Sequence, residues 1–272
     1  MKKILCRKRL LWVVVTFLMI LLVGCSNMAD RQENEELFQV STLNALMQGY
    51  YDGEITVAKL LQNGDTGLGT FDTLDGEMIV CDGVVYQAKA DGSVQIANDE
   101  ITTPFACVTF FDQDITLDDL SGASDLQELK TYLDQSISAQ DGSGNLFYMA
   151  KIEGEFSMIH LRSVPAQGKP YRELAQIADE QQEFFHKDVL GCLIAVRCPE
   201  YVAGINMPGW HIHFLSADYT MGGHVLDLAM IQGAGYLDIT PEFDLLLPQT
   251  AAFAGLDLTQ NMQDQTVKVE GK

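Results

Sequence analysis

GTFDTLDGEMIVCDGVVYQAKADGSVQIA, residues 69–97, decides the fold class. Asp-Gly pairs at 75–76, 82–83 and 91–92 separate short runs rich in Val, Ile and Tyr. Asp-Gly supplies the positive φ that tight hairpin turns need, and β-branched and aromatic residues suit half-buried strands. The stretch therefore predicts antiparallel strands joined by tight turns. Outward from it, Pro104 to Phe111 is almost continuously apolar, as expected of a strand inside a sheet. Upstream, Ser41 is placed to cap a short helix through Leu43, Leu46 and Met47 that Gly49 stops, and Thr56 to cap a second over 57–62. Downstream, Leu120, Leu126, Leu129, Tyr132 and Leu133 share one face of a helix over 119–136.

Asp141-Gly-Ser-Gly-Asn145 reads as a turn and lobe boundary, after which Phe147–Val164 returns to strand texture. Pro170 suits the first turn of a helix carrying Leu174, Ile177, Ala178, Gln181 and Phe184, with His186 at its end. Further strands are expected over 191–197, 210–215, 224–231 and 243–247. Sheets dominate. The prediction is α+β, with two lobes over 37–145 and 146–272, each holding a largely antiparallel or mixed β-sheet.

The 272 residues include 17 Lys+Arg against 38 Asp+Glu, a formal charge of −21. A nucleic-acid binder needs a basic footprint to neutralise phosphates, so that class is excluded. Five basic residues (Lys2, Lys3, Arg7, Lys8, Arg9) precede an apolar stretch from Leu10 to Val23. That stretch is short for a helical span, which needs roughly 20 residues, and reads as a signal peptide over 1–24. An uncleaved anchor ending near Gly24 is the other reading. Leu22-Val23-Gly24-Cys25 resembles the processing box of bacterial lipoproteins, which implies cleavage before Cys25, a diacylglyceryl group on its sulfur, and a polar tether over 25–36. The body is then expected outside the cytoplasmic membrane, anchored by lipid. Cys81, Cys107, Cys192 and Cys198 remain, each in a β-like run, and are expected as buried thiols, with one disulfide left open by an exported location. Cys192 and Cys198 lie about 20 Å apart along one straight strand, beyond disulfide reach.

Three of only five histidines fall within fourteen residues, in Trp210-His211-Ile212-His213 and Gly223-His224. Residues two apart on a strand point the same way, so His211 and His213 aim at one point. A hairpin centred on Asp218-Tyr219 puts His224 directly across from His213, with Gly222-Gly223 available for a bulge. Three neutral imidazoles suit Zn²⁺ and leave positions open for water or substrate, a catalytic rather than closed arrangement. HExxH, Gly-x-Gly-x-x-Gly and Gly-x-Ser-x-Gly are all absent, and cysteines do not flank the histidines.

GTFDTLDGEMIVCDGVVYQA (69–88), PFACVTFF (104–111), GEFSMIHLRSVPAQGKPY (154–171), GCLIAVRCPEYVAGINMPGWHIHFLSADYTMGGHVLD (191–227) and KVEG (268–271), in this order, closely resemble the acetolactate decarboxylase family. The resemblance covers roughly residues 37–271, and H-x-H-x10-H is its most specific piece. It implies an α+β subunit with two sheet-bearing lobes and Zn²⁺ between them, usually in a homodimer. It implies decarboxylation of a small anionic 2-hydroxy-3-oxo acid, 2-acetolactate, to (R)-acetoin through a metal-stabilised enediolate. By the same resemblance His211, His213 and His224 hold the zinc, Arg162 is the active-site arginine, Glu77 and Glu270 are the active-site glutamates, and Thr70 lies near the pocket. The lipoprotein-like leader departs from a family whose members are typically cytoplasmic. Arg162 offers a planar fork to a carboxylate, and spacing puts His160 on its strand face. A non-catalytic zinc- or ligand-binding lipoprotein is the rival reading, since a three-histidine site also serves capture.

Overall fold

The Asp82-Gly83 turn joins β4 (Glu77–Cys81) to β5 (Val84–Ala88), and both turn residues take positive φ, 51° and 77°. This is the two-residue geometry whose twist matches that of the flanking strands. The computed structural model describes residues 35–118 and 120–270. The signal peptide over 1–24 and the lipidation site Cys25 lie outside the described residues, as does all of the tether before residue 35.

The remaining strands are β1 (Glu36–Val40), β2 (Ile55–Thr56), β3 (Thr66–Thr70), β6 (Val94–Ile96), β7 (Thr102–Thr103), β8 (Ala106–Thr109) and β9 (Ile115–Leu117). They continue with β10 (Phe147–Ser163), β11 (Gln182–Cys198), β12 (Gly209–Ser216), β13 (Gly222–Thr240) and β14 (Glu242–Leu246). A seven-stranded sheet runs β14-β1-β8-β3-β4-β5-β6, with β8 well inside it as its apolar run requires. A five-stranded sheet runs β10-β11-β12-β13-β9, and β10 also pairs with β13, so four long strands close on themselves. β2 and β7 form a small separate pair. The chain is α+β, mostly sheet with few helices. Sheet membership crosses residue 145 in both directions, since β9 joins the later strands and β14 lies parallel to β1.

Strand alternation assigns each face. In the seven-stranded sheet Leu37, Leu68 and Ile79 share a buried cluster with Met149, Ile194, Val196 and Leu215 of the five-stranded sheet. The intervening residues Met78 and Val80 turn the other way, onto Val57 and Leu60 of the short helix Val57–Leu60. The second face of the five-stranded sheet packs Ile212 and Phe214 against Leu126, Leu129, Leu133 and Ile137 of the helix Leu126–Ala139. Each such side chain, fully buried, contributes about 1.5–3 kcal/mol.

Local expectations fail where longer-range pairing or a better cap competes. Thr42, not Ser41, caps the helix Leu43–Met47, its hydroxyl accepting from the Ala45 amide, while Ser41 takes φ 60°. The helix predicted over 119–136 begins only at Leu126, because Asp125 accepts from the Glu128 amide and the Glu128 carboxylate reaches back to Ser124. The helix predicted from Pro170 through Phe184 is reduced to Leu174–Ile177 and a 3₁₀ turn. Phe184 and His186 instead belong to β11, opposite Leu161 and Ile159. The seventeen-residue β10 offers a full ladder edge there, and those hydrogen bonds outweigh a weak helical pattern.

Candidate active site

The histidine hairpin forms in the expected register: His213 of β12 lies directly across from His224 of β13. His211, two residues before His213, shares its face. His211 Nε2 lies 3.1 Å from His213 Nε2 and 3.0 Å from His224 Nδ1. All three rings are buried, and their nitrogens fall within a sphere suited to one metal ion.

Gly223 makes this approach possible. Its φ is 153°, and a Cβ there would stand 2.7 Å from the Arg162 carbonyl oxygen on β10. Only glycine lets β13 pass that close to β10 while delivering His224 inward.

The protonation of the cluster is set by its surroundings. His213 Nδ1 donates to the Met78 carbonyl oxygen at 2.8 Å, which leaves the Nε2 lone pair directed into the cluster. Burial, reinforced by the positive charges of Arg162 and Lys130, pushes His211 down to about 3. A neutral imidazole is the form that binds a metal, so the donor set fits a borderline cation such as Zn²⁺. Among the described residues this three-histidine group could hold a metal ion.

The opposing sheet supplies the acid. Glu77 opens β4, across from Thr70 at the end of β3, and its carboxylate points toward the histidines. Glu77 Oε2 lies 3.5 Å from His213 Nε2, and Oε1 accepts from Arg162 Nη1 at 2.8 Å. Both partners of that pair are buried. The Thr70 hydroxyl donates to the Gly76 carbonyl at 2.8 Å, so it braces the turn before Glu77. Gln87 Nε2 donates to the Asp75 carbonyl and Lys89 pairs with the Asp75 carboxylate, tying the same turn to β5.

Arg162 does not share its polar neighbour with His160. The alternation of β10 nevertheless holds, since Ile159 and Leu161 enter the same core cluster and pairing with β11 runs unshifted from Met158 to Ser163, so His160 and Arg162 share a strand face as expected. His160 bonds Glu183 Oε2 at 2.8 Å and stacks on Phe185, while Arg162, two residues on, reaches Glu77 of the seven-stranded sheet.

Thr70, Glu77, Arg162 and His211 line one small cavity of about 30 Å³, walled by Leu43, Leu74, Phe105, Val164 and Leu174. That is room for about one water or one small group between a cationic fork and the imidazoles. The chain brings together six of the seven predicted active-site and metal residues, and the side chain of the seventh lies outside the described residues. The seventh, Glu270, ends the helix Gln263–Glu270, whose Val269 packs with Leu43, Leu46, Leu74 and Val164 beside the cavity. The Met78 carbonyl and the apolar wall were not foreseen; neither a backbone oxygen nor a scattered set of Leu and Val leaves a sequence signal.

The alpha-acetolactate decarboxylase family model matches residues 37–260. An alpha-acetolactate decarboxylase of Methanosarcina mazei is 46% identical over 237 residues, 87% of this chain and 81% of the relative. One from Lactococcus lactis is 35% identical, over 85% of this chain and 97% of the relative. The crystal structure of alpha-acetolactate decarboxylase from Bacillus subtilis superposes with a TM-score of 0.82 at 31% identity, covering 87% of this chain and all of that one. This chain belongs to the alpha-acetolactate decarboxylase family, a family of carboxy-lyases.

Proposed function

We propose that this chain is a zinc-dependent decarboxylase converting (S)-2-acetolactate to (R)-acetoin and CO₂. The observation that carries the reading is the convergence of three buried imidazoles, at 3.0 and 3.1 Å, beside the Arg162–Glu77 pair in one small cavity. Relatives named alpha-acetolactate decarboxylase over most of the chain support the substrate.

The substrate is a β-keto acid with a neighbouring hydroxyl. When the carboxylate leaves as CO₂, the bonding electron pair passes into the adjacent carbonyl. His211, His213 and His224 would hold Zn²⁺, which when bound supplies Lewis acidity where that charge develops. Arg162 orients the departing carboxylate with its planar donors, a task a point charge performs less well. Glu77 positions Arg162 and carries a carboxylate edge toward the histidines, where it bonds the substrate hydroxyl. Glu270 returns a proton to one face of the new carbanion carbon and so sets the handedness of acetoin. The apolar wall excludes bulk water and strengthens each of these contacts.

The purified full chain, mixed with racemic acetolactate, is expected to release CO₂ and acetoin in a chelator-sensitive, zinc-restored reaction. Binding of acetolactate or zinc without CO₂ release would overturn the reading in favour of a capture protein.

We further infer that the chain is exported, anchored through lipidated Cys25, and dimeric. Labelled fatty acid should enter the wild-type chain and not Cys25→Ser, and the native mass should be twice that of the subunit. Equal labelling of both chains would remove the anchor, and a monomeric mass the dimer. Among the described residues no helix is long and apolar enough to cross a membrane.

A further inference from the structure

Strand β4 presents Glu77, Ile79 and Cys81 on the one face that meets the five-stranded sheet. Glu77 reaches the histidines and Arg162 at one end, and Ile79 enters the shared core. At the other end Cys81 and Cys192 of β11 both pack against that core, which Ile194 and Val196 of β11 also line. Cys107 and Cys198 are buried as expected, but Cys81 and Cys192 are only half-buried. Both border an open cavity of about 690 Å³, shared with Asp82, Lys151, Gly191 and Leu215.

We propose that Cys81 and Cys192 are a redox-active dithiol that closes into a disulfide between the two sheets when it meets a low-molecular-weight disulfide. Three features of the structure converge on it. The two thiols line one cavity and pack against one apolar cluster, and they belong to different sheets, so a bond between them spans an interface. The cavity admits a small oxidant to both sulfurs.

The thiols are also unequal. Contact with Cys192, and the ammonium of Lys151, hold Cys81 below the usual thiol range despite its burial, whereas Cys192 is pushed up by the Cys81 thiol and by burial. Lys151 is fixed there by its ion pair with Asp82. The Lys151 ammonium held beside Cys81 by Asp82 favours the thiolate there, which makes Cys81 the attacking group.

The Cys81 thiolate attacks one sulfur of the oxidant, whose S–S bond breaks and releases one thiolate. The resulting mixed disulfide is attacked by Cys192 sulfur as its proton leaves to solvent, and the second oxidant thiolate departs. Two protein thiols lose two electrons, and one small disulfide becomes two thiols. The product ties β4, which carries Glu77, to β11, whose residues 191–198 pair with the strand bearing His211 and His213.

The test uses the full chain, reduced and then equilibrated in buffers of varied oxidised-to-reduced glutathione ratio, trapped by alkylation and read by peptide mapping. A Cys81–Cys192 linked peptide should grow with the oxidised fraction and disappear when the ratio is reversed. In Cys192→Ser, lacking the resolving thiol, the reaction should stop with glutathione on Cys81. Full alkylation of Cys81 and Cys192 at every ratio would overturn the proposal. So would separate glutathione adducts on both, or links that join either one to Cys107 or Cys198 instead.

Discussion

Arg162 of β10 and Glu77 of β4 come from different sheets and meet through a 2.8 Å contact between Nη1 and Oε1, both side chains buried. Removing the cation leaves a buried carboxylate facing apolar walls, which is costly. Arg162→Met should therefore lose roughly 3–5 kcal/mol of stability as well as turnover. Adding Glu77→Gln should recover part of the stability and none of the turnover. Urea unfolding of both variants checks this, and a double variant no more stable than Arg162→Met would show that the pair is not energetically coupled.

Glu77→Gln alone keeps the shape of the site and all three imidazoles. Its metal content should match that of the parent while kcat falls by on the order of 10²-fold. Elemental analysis beside steady-state kinetics separates the two; unchanged kcat would take Glu77 out of the chemistry.

His211→Ala, His213→Ala and His224→Ala should each lose bound zinc and activity together, because three ligands from two adjacent strands leave little redundancy. Zinc-to-protein ratios after dialysis report the outcome. Normal metal content and turnover in all three would refute the metal centre.

Gly223→Ala tests the backbone approach without touching a polar group. A Cβ 2.7 Å from the Arg162 carbonyl, at φ 153°, forces β13 away from β10. The variant should unfold more easily by about 1–3 kcal/mol and lose zinc affinity, because His224 follows Gly223 directly. Wild-type stability and metal content together would mean that β13 relaxes freely.

Asp238 tests burial far from the histidines. Desolvation in β13 raises its carboxyl to about 7, with Asp114 and Glu35 adding repulsion, although Thr109 and the Asp112 backbone donate to it. A carboxyl raised in the folded state contributes stability that is fully present below the unfolded value near 4 and is lost as pH rises through about 7. Asp238→Asn, which keeps an acceptor and cannot ionise, should be more stable than the parent at pH 8 by on the order of 2–4 kcal/mol, and equal to it near pH 4. Urea midpoints at the two pH values decide it, and a constant difference across that range would remove Asp238 as the cause.

Local sequence alone determined the strand-rich class, the Asp82-Gly83 hairpin, the position of Ala106–Thr109 inside a sheet and the pairing of His213 with His224. Those features depend on turn chemistry, residue alternation and the spacing of two imidazoles, all of which act over a few residues. The resemblance named Arg162, Glu77 and Thr70, but only the tertiary structure decided how they meet. The approach of β10 to β4 brings Arg162 onto Glu77, and the pairing of β3 with β4 sets Glu77 opposite Thr70. Packing of two sheets then brings a carboxylate from residue 77 within 3.5 Å of an imidazole at residue 213. Pairing with β10 turned the stretch before Gly191 from predicted helix into strand, and sheet packing brought Cys81 and Cys192 to one cavity. Contacts between residues this far apart in the chain depend on how buried faces fit together, and a pattern read along one strand carries no record of which face it will meet.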